Sequence, residues 1–429
     1  MTLEELQRLL EPEVQSVIET HRHDDPAAFA MRFHGNNELP VRAIAEQLAC
    51  RQKAAKKLLH FSQYNLLYTP LGLEQASGER SAEYKASFLT GKRVIDLSGG
   101  LGIDSIFLSR VFQEAVYCER DPLLCALFQH NLKQCGVSNV KIINGDSIDL
   151  LSKYPDNFFD LIFVDPARRE QGKRSISLEA ASPDVVGCQD ILLRKSDRVC
   201  IKASPALELS GLKKLLPSLC SVIVVSVDRE CKEVLLLLER GACQNPVAIK
   251  AVCLSSASDA VREVFGDGAI EKIIANSVKE YLYEPDPAII KAKLSTVLAR
   301  NTGIEFVNSS VDYLTSNSLF EDFPGRTFHL IECVLYKPKT FRAFLDRHDI
   351  RGASIQRRDF PLSADEMRKK YRLLESDKAF LFFTRDNAGR PVAIYALRCF
   401  SACGEVPAVQ DQSAGPECWH KFFQFRADA

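Results

Sequence analysis

No excess of charge of either sign runs through this chain: its 429 residues carry 55 Lys and Arg against 56 Asp and Glu, a formal net charge of -1. That excludes a chain-wide attraction to nucleic acid or anionic membrane, so a polyanionic partner has to be met by a local patch. No apolar run approaches the roughly 18–20 residues of a membrane-spanning helix. The opening MTLEELQRLLEPEVQ is acidic and amphipathic where a secretory leader would be basic and then apolar. A cytoplasmic protein with no membrane partner is expected. The 14 cysteines include no CxxC pair, and Cys118, Cys200 and Cys253 sit inside apolar stretches where cysteine acts as a small hydrophobe, as in a reducing compartment. Cys399, Cys403, Cys418 and His420 fit no standard zinc spacing, so no metal site is expected. Internal repeats and low-complexity segments are also missing.

What is present is enough apolar sequence, 46%, for roughly two to four folded domains. Residues 1–85 read as a helical N-terminal domain, with apolar residues of VRAIAEQLACRQKAAKKLLHF recurring at three- and four-residue intervals. From residue 86 to about 260, short runs (RVIDLS, AVYCE, VKIIN, DLIFVD, RVCIKA, SVIVVSV) alternate with longer stretches, the pattern of an α/β domain with an open parallel sheet. KEVLLLLER follows SVIVVSV after only a short turn, which leaves no room for a crossover helix and predicts an antiparallel last strand. From about Val261 the pattern becomes that of small α+β units, with TFHLIECVLY, AFLFFTR and PVAIYALRC as strands.

The chemistry concentrates around VIDLSGGLGIDS. A Walker loop would need GxxxxGK[ST], which is absent here. Gly100, Gly102 and Ser105 give GxGxxS, one residue short of a dinucleotide fingerprint. Asp96 stands four positions before Gly100, where a carboxylate would repel a pyrophosphate but welcome a ligand bearing an ammonium and a sulfonium. S-adenosyl-L-methionine fits that requirement. Glu119 ends the next strand, where it can accept hydrogen bonds from both ribose hydroxyls; Asp146, with Ser147 beside it, follows the third and can accept one from an adenine amino group. Asp165 and Pro166 end the fourth. Asp121 and Asp146 also have a plain reading as helix caps, but four acids at the ends of four successive strands share one ligand's layout. Asp96, Ser98, Gly99, Gly100, Gly102, Glu119, Asp146 and Ser147 are therefore the candidate cofactor-binding residues. Asp165, Pro166 and Arg168 are the candidate catalytic residues.

The stretch from Val94 to about Asp165 resembles the class I S-adenosylmethionine-dependent methyltransferases, matching their DxxxGxG loop, ribose-binding acid, adenine-binding acid and (D/N)PP(Y/F) motif in order. The last motif departs, with Ala167 and Arg168 where proline and an aromatic stand. Asp165 and the Pro166 carbonyl can hold a target amine with its lone pair towards the methyl, and Arg168 can stack or grip a phosphate. Aligning IKASP with the element that carries the nucleophile of RNA uridine C5-methyltransferases puts Ala203 at the cysteine's place, and Cys200 falls three residues early. A nitrogen or oxygen acceptor therefore fits better than a ring carbon.

EQASGERSAEYKA, DLSGGLGIDS, DPARR, IKASP, YLYEPDPAIIKAKL and QRRDF together resemble a bacterial family of class I methyltransferases with ferredoxin-like and THUMP-like C-terminal parts. The core is also similar to trimethylguanosine synthase. The resemblance implies a Rossmann-like methyltransferase domain at 86–260, a ferredoxin-like segment at 261–325 and a THUMP-like domain at 326–429. It further implies that Glu74, Gln75, Ser77 and Glu79 precede the cofactor fold and close over the cofactor. Asp286 has a plain role as the cap of a helix opened by Pro287. Between Tyr336 and Leu373, 11 Lys and Arg face 5 Asp and Glu, a local basic patch. Since true THUMP domains bind transfer RNA, the substrate expected is tRNA or rRNA, methylated at a base nitrogen. Methylation of a small molecule or protein, and an RNA-binding protein with a degenerate methyltransferase fold, are the alternatives.

Overall fold

The alternating runs of the central region pair into one nine-stranded sheet in the computed structural model, which describes residues 1–168, 178–244, 246–266 and 270–399. Its strands are β1 (Gly91–Asp96), β2 (Phe112–Glu119), β3 (Val140–Asn144), β4 (Leu161–Val164), β7 (Arg198–Ala203), β8 (Leu219–Val227), β9 (Glu230–Glu239), β10 (Ala248–Leu254) and β11 (Val261–Gly266). Between β4 and β7 a two-residue ladder joins β5 (Ala167–Arg168) to β6 (Ala181–Ser182). The spatial order is β3-β2-β1-β4-β7-β9-β8-β10-β11. Strands β1 to β4, β7, β8 and β10 run in one direction, and β9 is antiparallel to both β7 and β8.

The expected antiparallel strand is therefore present, but it is inserted inside the sheet. The hairpin turn at Asp228 and Arg229 returns β9 into the gap beside β7, and β8 is displaced one place outward. The outer strands β10 and β11 extend the sheet beyond it, and β11 makes the edge. The chain leaves β1 for β2 and β3, then crosses back to β4 on the other side, and in sheets of this kind such a switch point places the ligand crevice at the carboxyl ends of the two strands, here β1 and β4.

Both faces of the sheet are covered, as a mostly parallel sheet requires; all four residues of β4 are buried. On one face, the N-terminal helices share an apolar cluster with the helices Ile103–Ser109 and Pro122–Gln134, through Leu6, Ile44 and Leu48 against Phe107, Leu127 and Phe128. On the other, Ala288, Ile289 and Leu298, from the helices Pro287–Lys291 and Ser295–Thr302, pack with Val224 and Leu236. Asp286 caps the first of these helices, accepting from the Ala288 amide (2.8 Å) and from Ser226 Oγ (2.6 Å).

The second sheet comprises β12 (Tyr281–Pro285), β13 (Glu305–Phe306), β14 (Leu314–Ser316), β15 (Gly325–Leu335), β16 (Ser354–Arg357), β17 (Phe380–Arg385) and β18 (Pro391–Cys399). Its order is β13-β14-β12-β15-β18-β17-β16, so strands from before and after residue 325 share one sheet. No helix among the described residues is long and apolar enough to cross a membrane.

Candidate functional site

The glycine loop between β1 and the helix Ile103–Ser109 is built around two rings. A Cβ on Gly99 would lie 2.4 Å from Tyr117 Cζ, and one on Gly102 would lie 2.1 Å from Phe128 Cε2. Gly102 also takes φ +74°, which side chains disfavour. Tyr117 and Phe128 stack at 4.1 Å, and the Tyr117 hydroxyl donates to the Gly100 carbonyl at 2.6 Å. Glycine is thus required by the packing beneath the loop, whose Gly99, Gly100 and Gly102 amides donate to the Cys118 carbonyl, Glu119 Oε2 and the Gly99 carbonyl.

Asp96 is buried at the mouth of that loop. Its carboxylate accepts from the Ser98 amide (2.9 Å) and hydroxyl (3.0 Å) and from Ser105 Oγ (2.5 Å). Burial pushes its pKa up to about 6, against the pull of those hydrogen bonds. Among the described residues no cationic side chain forms an ion pair with it. A buried carboxylate that lacks a cation suits a ligand that brings an ammonium.

The other predicted residues gather at the same sheet edge. Glu119 Oε2 accepts the Gly100 amide and Oε1 the Asp121 amide, both at 2.9 Å, which orients the carboxylate and leaves lone pairs for hydroxyls. Asp146 caps the helix Ser147–Ser152 with Oδ1, on the Ile148 and Asp149 amides, and pairs Oδ2 with Arg120. Those backbone bonds hold its pKa below the usual carboxylate range. Ser147 is buried as the first residue of that helix. The plain cap reading thus describes half of this carboxylate. Asp121 caps the helix Pro122–Gln134. The Asp165 amide donates to Ser98 Oγ at 2.6 Å, and Pro166 follows it. The side chain of Arg168, all of Arg169, and Cys403, Cys418 and His420 lie outside the described residues.

A set of buried charges beside the site is not anticipated by the sequence. Lys202 Nζ lies 2.5 Å from Asp165 Oδ2, 3.0 Å from Ser77 Oγ and 3.5 Å from Asp104 Oδ2. Lys85 Nζ reaches Glu233 Oε1 at 2.6 Å and Asp104 Oδ1 at 3.1 Å. Ser77 donates to Asp104 Oδ2 at 2.7 Å. Burial opposes the charge on Lys202, but Asp165, Asp104 and Glu233 raise its pKa, so it stays an ammonium. The one signal for it is a lysine inside the apolar strand RVCIKA, just before Ala203.

The EQASGE element meets the site through this network. Ser77 is its buried hub, and Glu79 accepts from the His60 amide (2.9 Å) and pairs with His60 Nδ1 (2.7 Å). Lys57 Nζ donates to the Leu73 and Glu74 carbonyls at 2.7 and 3.0 Å, fixing the backbone beside Gln75. Burial, then the like charges of Lys202 and Lys232, pushes Lys57 down to about 8. Cys200 is fully buried in β7 and burial pushes its thiol pKa up, so it is no nucleophile.

Residues 81–184 match the family described as Conserved hypothetical protein 95, and residues 325–398 the one described as THUMP domain-like. The chain is 24% identical to an uncharacterized S-adenosylmethionine-dependent methyltransferase of Mycobacterium tuberculosis, over 83% of this chain and 96% of that protein. It is similar to a crystal structure of a protein from Porphyromonas gingivalis described as a methyltransferase, with a TM-score of 0.80, 25% identity and coverage of 93% of this chain and 100% of the other. A 23S rRNA (uracil(1939)-C(5))-methyltransferase of Shewanella is 24% identical over 43% of this chain and 42% of its own length.

Proposed function

Because the chain is a class I S-adenosylmethionine-dependent methyltransferase carrying a THUMP-like domain, we propose that it methylates a base nitrogen of RNA, tRNA or rRNA, in the cytoplasm. The observation that carries this reading is the hydrogen-bond chain from the Asp165 amide to Ser98 Oγ and on to Asp96. It ties the acceptor turn to the loop that would hold the methyl donor.

S-adenosylmethionine supplies an electrophilic methyl on sulfur, and the transfer is an in-line displacement that needs alignment above all. Asp96 holds the donor's ammonium, and Ser98, Gly99, Gly100 and Gly102 give it a close backbone cradle. Glu119 takes the ribose hydroxyls. Asp146 offers Oδ2 to the adenine amino group once Arg120 turns outward, with Ser147 beside it. Asp165 and the Pro166 carbonyl accept hydrogen bonds from the base amine and aim its lone pair, and Arg168 grips the base or a phosphate. Lys202 keeps the Asp165 carboxylate turned to the edge of the sheet.

The RNA reading draws on the THUMP-like match, on the rRNA enzyme among the relatives and on the basic stretch Tyr336–Leu373. The ring-carbon chemistry named for that relative does not carry over, since Ala203 stands where the cysteine nucleophile would be and Cys200 is buried. Purified enzyme with methyl-labelled cofactor should label total RNA from cells lacking the protein, and digestion should return the label on a base nitrogen. Label appearing only in a metabolite extract would refute the reading. Asp165→Ala should abolish transfer while binding S-adenosylhomocysteine as before.

A further inference from the structure

Two motifs that the catalytic reading leaves unused, EPDP and QRRDF, converge on one carboxylate. Glu284 of β12 is almost wholly buried and is held by three arginines: Arg229 Nη2 at 3.0 Å, Arg326 Nη2 at 2.5 Å and Arg358 Nη2 at 3.0 Å. Arg229 belongs to the β8–β9 turn of the catalytic sheet; Arg326 and Arg358 belong to the C-terminal part. One carboxylate offers about four acceptor sites, whereas three guanidiniums offer about fifteen donors. Arg229 Nη1 has no hydrogen-bond partner but is itself closed off from solvent, so a ligand would meet the other guanidinium nitrogens. The three side chains keep 25%, 19% and 29% of their surface exposed, so a ligand can reach them. The guanidinium of Arg358 also lies 4.9 Å from the Tyr313 ring centroid.

The backbone under Arg229 is strained to hold it there. Asp228 and Arg229 both take positive φ, +49° and +65°, in a two-residue hairpin turn where glycine or asparagine is the usual choice. Asp228 is fixed by the Ser256 amide (2.9 Å) and hydroxyl (2.5 Å). An arginine kept in a left-handed turn, with surplus donors and a net charge of +2 for the cluster, is poorly explained as a clamp between two domains. A clamp on Glu284 uses four donors, Arg229 Nη2, Arg326 Nε and Nη2 and Arg358 Nη2, and accounts for none of the others.

We propose that Arg229, Arg326 and Arg358 form a phosphodiester-binding site for the RNA substrate, an inference that rests on the RNA reading above. The β8–β9 turn projects from the same carboxyl edge as Asp165. From the pairing of Ala203 with Val234, strand spacing of about 4.8 Å and a rise of about 3.3 Å per residue, the turn stands on the order of 20 Å from Asp165. A strand of RNA gripped there is anchored several nucleotides from the base being modified. The contact positions the strand and reads no sequence.

The test uses the full chain, a labelled single-stranded oligoribonucleotide of mixed sequence and a salt titration. Arg229→Gly and Arg358→Gln should each weaken binding at least about fivefold and make the salt dependence shallower by about 0.7 for each phosphate no longer held. Arg32→Gln, an equal change of charge on the N-terminal helices, should bind as wild type. S-adenosylhomocysteine affinity should not move in any variant. Glycine takes φ +65° freely and Glu284 keeps Arg326 and Arg358, and a variant that still binds S-adenosylhomocysteine as wild type is folded, so weaker RNA binding in it will not reflect a damaged fold. Unchanged RNA binding in both arginine variants, or an equal weakening in Arg32→Gln, overturns this site and leaves the RNA reading standing. Failure of the wild-type protein to bind RNA while it binds S-adenosylhomocysteine overturns both.

Discussion

Lys202 Nζ stands 2.5 Å from Asp165 Oδ2, an ion pair between the carboxyl ends of the adjacent strands β7 and β4. The lysine is nearly buried and the aspartate is about one-third exposed, so the pair presents its carboxylate, and not its ammonium, to the crevice. Lys202→Met would leave Asp165 without its cation and Asp104 with Lys85 alone. Because Asp165 is partly solvated, the loss falls below that of a fully buried pair: about 2 kcal/mol, a fall in Tm of roughly 4–8 °C, and methyl transfer should drop with it. Adding Asp104→Asn to Lys202→Met should recover part of the loss. A melting temperature equal to wild type in the single variant would show that the pair carries no weight.

Asp96 gives a prediction of the opposite sign. Its carboxyl is raised by burial to about 6, above the unfolded value near 3.9, so the fold disfavours the ionised form. Stability from this group is full below about pH 4 and declines as pH rises through 6, where the ionised carboxylate costs on the order of 3 kcal/mol. Asp96→Asn removes that cost. It should raise Tm at pH 7.5, leave it nearly unchanged at pH 4, and abolish S-adenosylhomocysteine binding in calorimetry. Lower stability with binding retained would place the cofactor's ammonium elsewhere.

Gly102→Ala tests the loop by sterics alone. The new Cβ would fall 2.1 Å from Phe128 Cε2 in a backbone with φ +74°, and Phe128 is fully buried against Tyr117. The ring has nowhere to go, so the loop must shift. A loss of about 2–4 kcal/mol is expected from overpacking and the left-handed strain together, with cofactor affinity reduced more than tenfold. Gly136→Ala, also at positive φ but with open space around it, should cost only about 1 kcal/mol and leave binding intact.

Much of this site could be read from the chain because its acids follow strands, and a strand end is visible as the point where an apolar run stops. Asp96, Glu119 and Asp165 announce themselves in that way. Position in a sheet is less visible: the turn at Asp228 predicts a hairpin, but nothing local says that β9 enters beside β7 or that AIKAVCL adds a further strand. The charge network was hidden for a related reason. Ser77, Lys85, Asp104, Lys202 and Glu233 come from one turn, two helices and two strands, and each alone reads as an ordinary polar residue. Only the fold makes them neighbours.

Ser77→Ala asks what holds that network together. The Ser77 hydroxyl donates to Asp104 at 2.7 Å and receives from Lys202 at 3.0 Å and Lys85 at 3.3 Å, in a residue with 6% of its surface exposed. Burial works to raise the Asp104 pKa, but Lys85 and Lys202 outweigh it and bring it below the ordinary value, with Ser77 adding to the effect. A depressed carboxylate contributes stability that is present above the unfolded value near 3.9 and is lost as pH falls through the folded one. Ser77→Ala should therefore cost about 1–3 kcal/mol at neutral pH and move the acid-unfolding midpoint, followed by intrinsic fluorescence, to higher pH. Ser77→Thr keeps the hydroxyl and should restore the midpoint. If alanine unfolds at the same pH as serine, the two lysines hold Asp104 unaided and the serine of the EQASGE element acts elsewhere in the site.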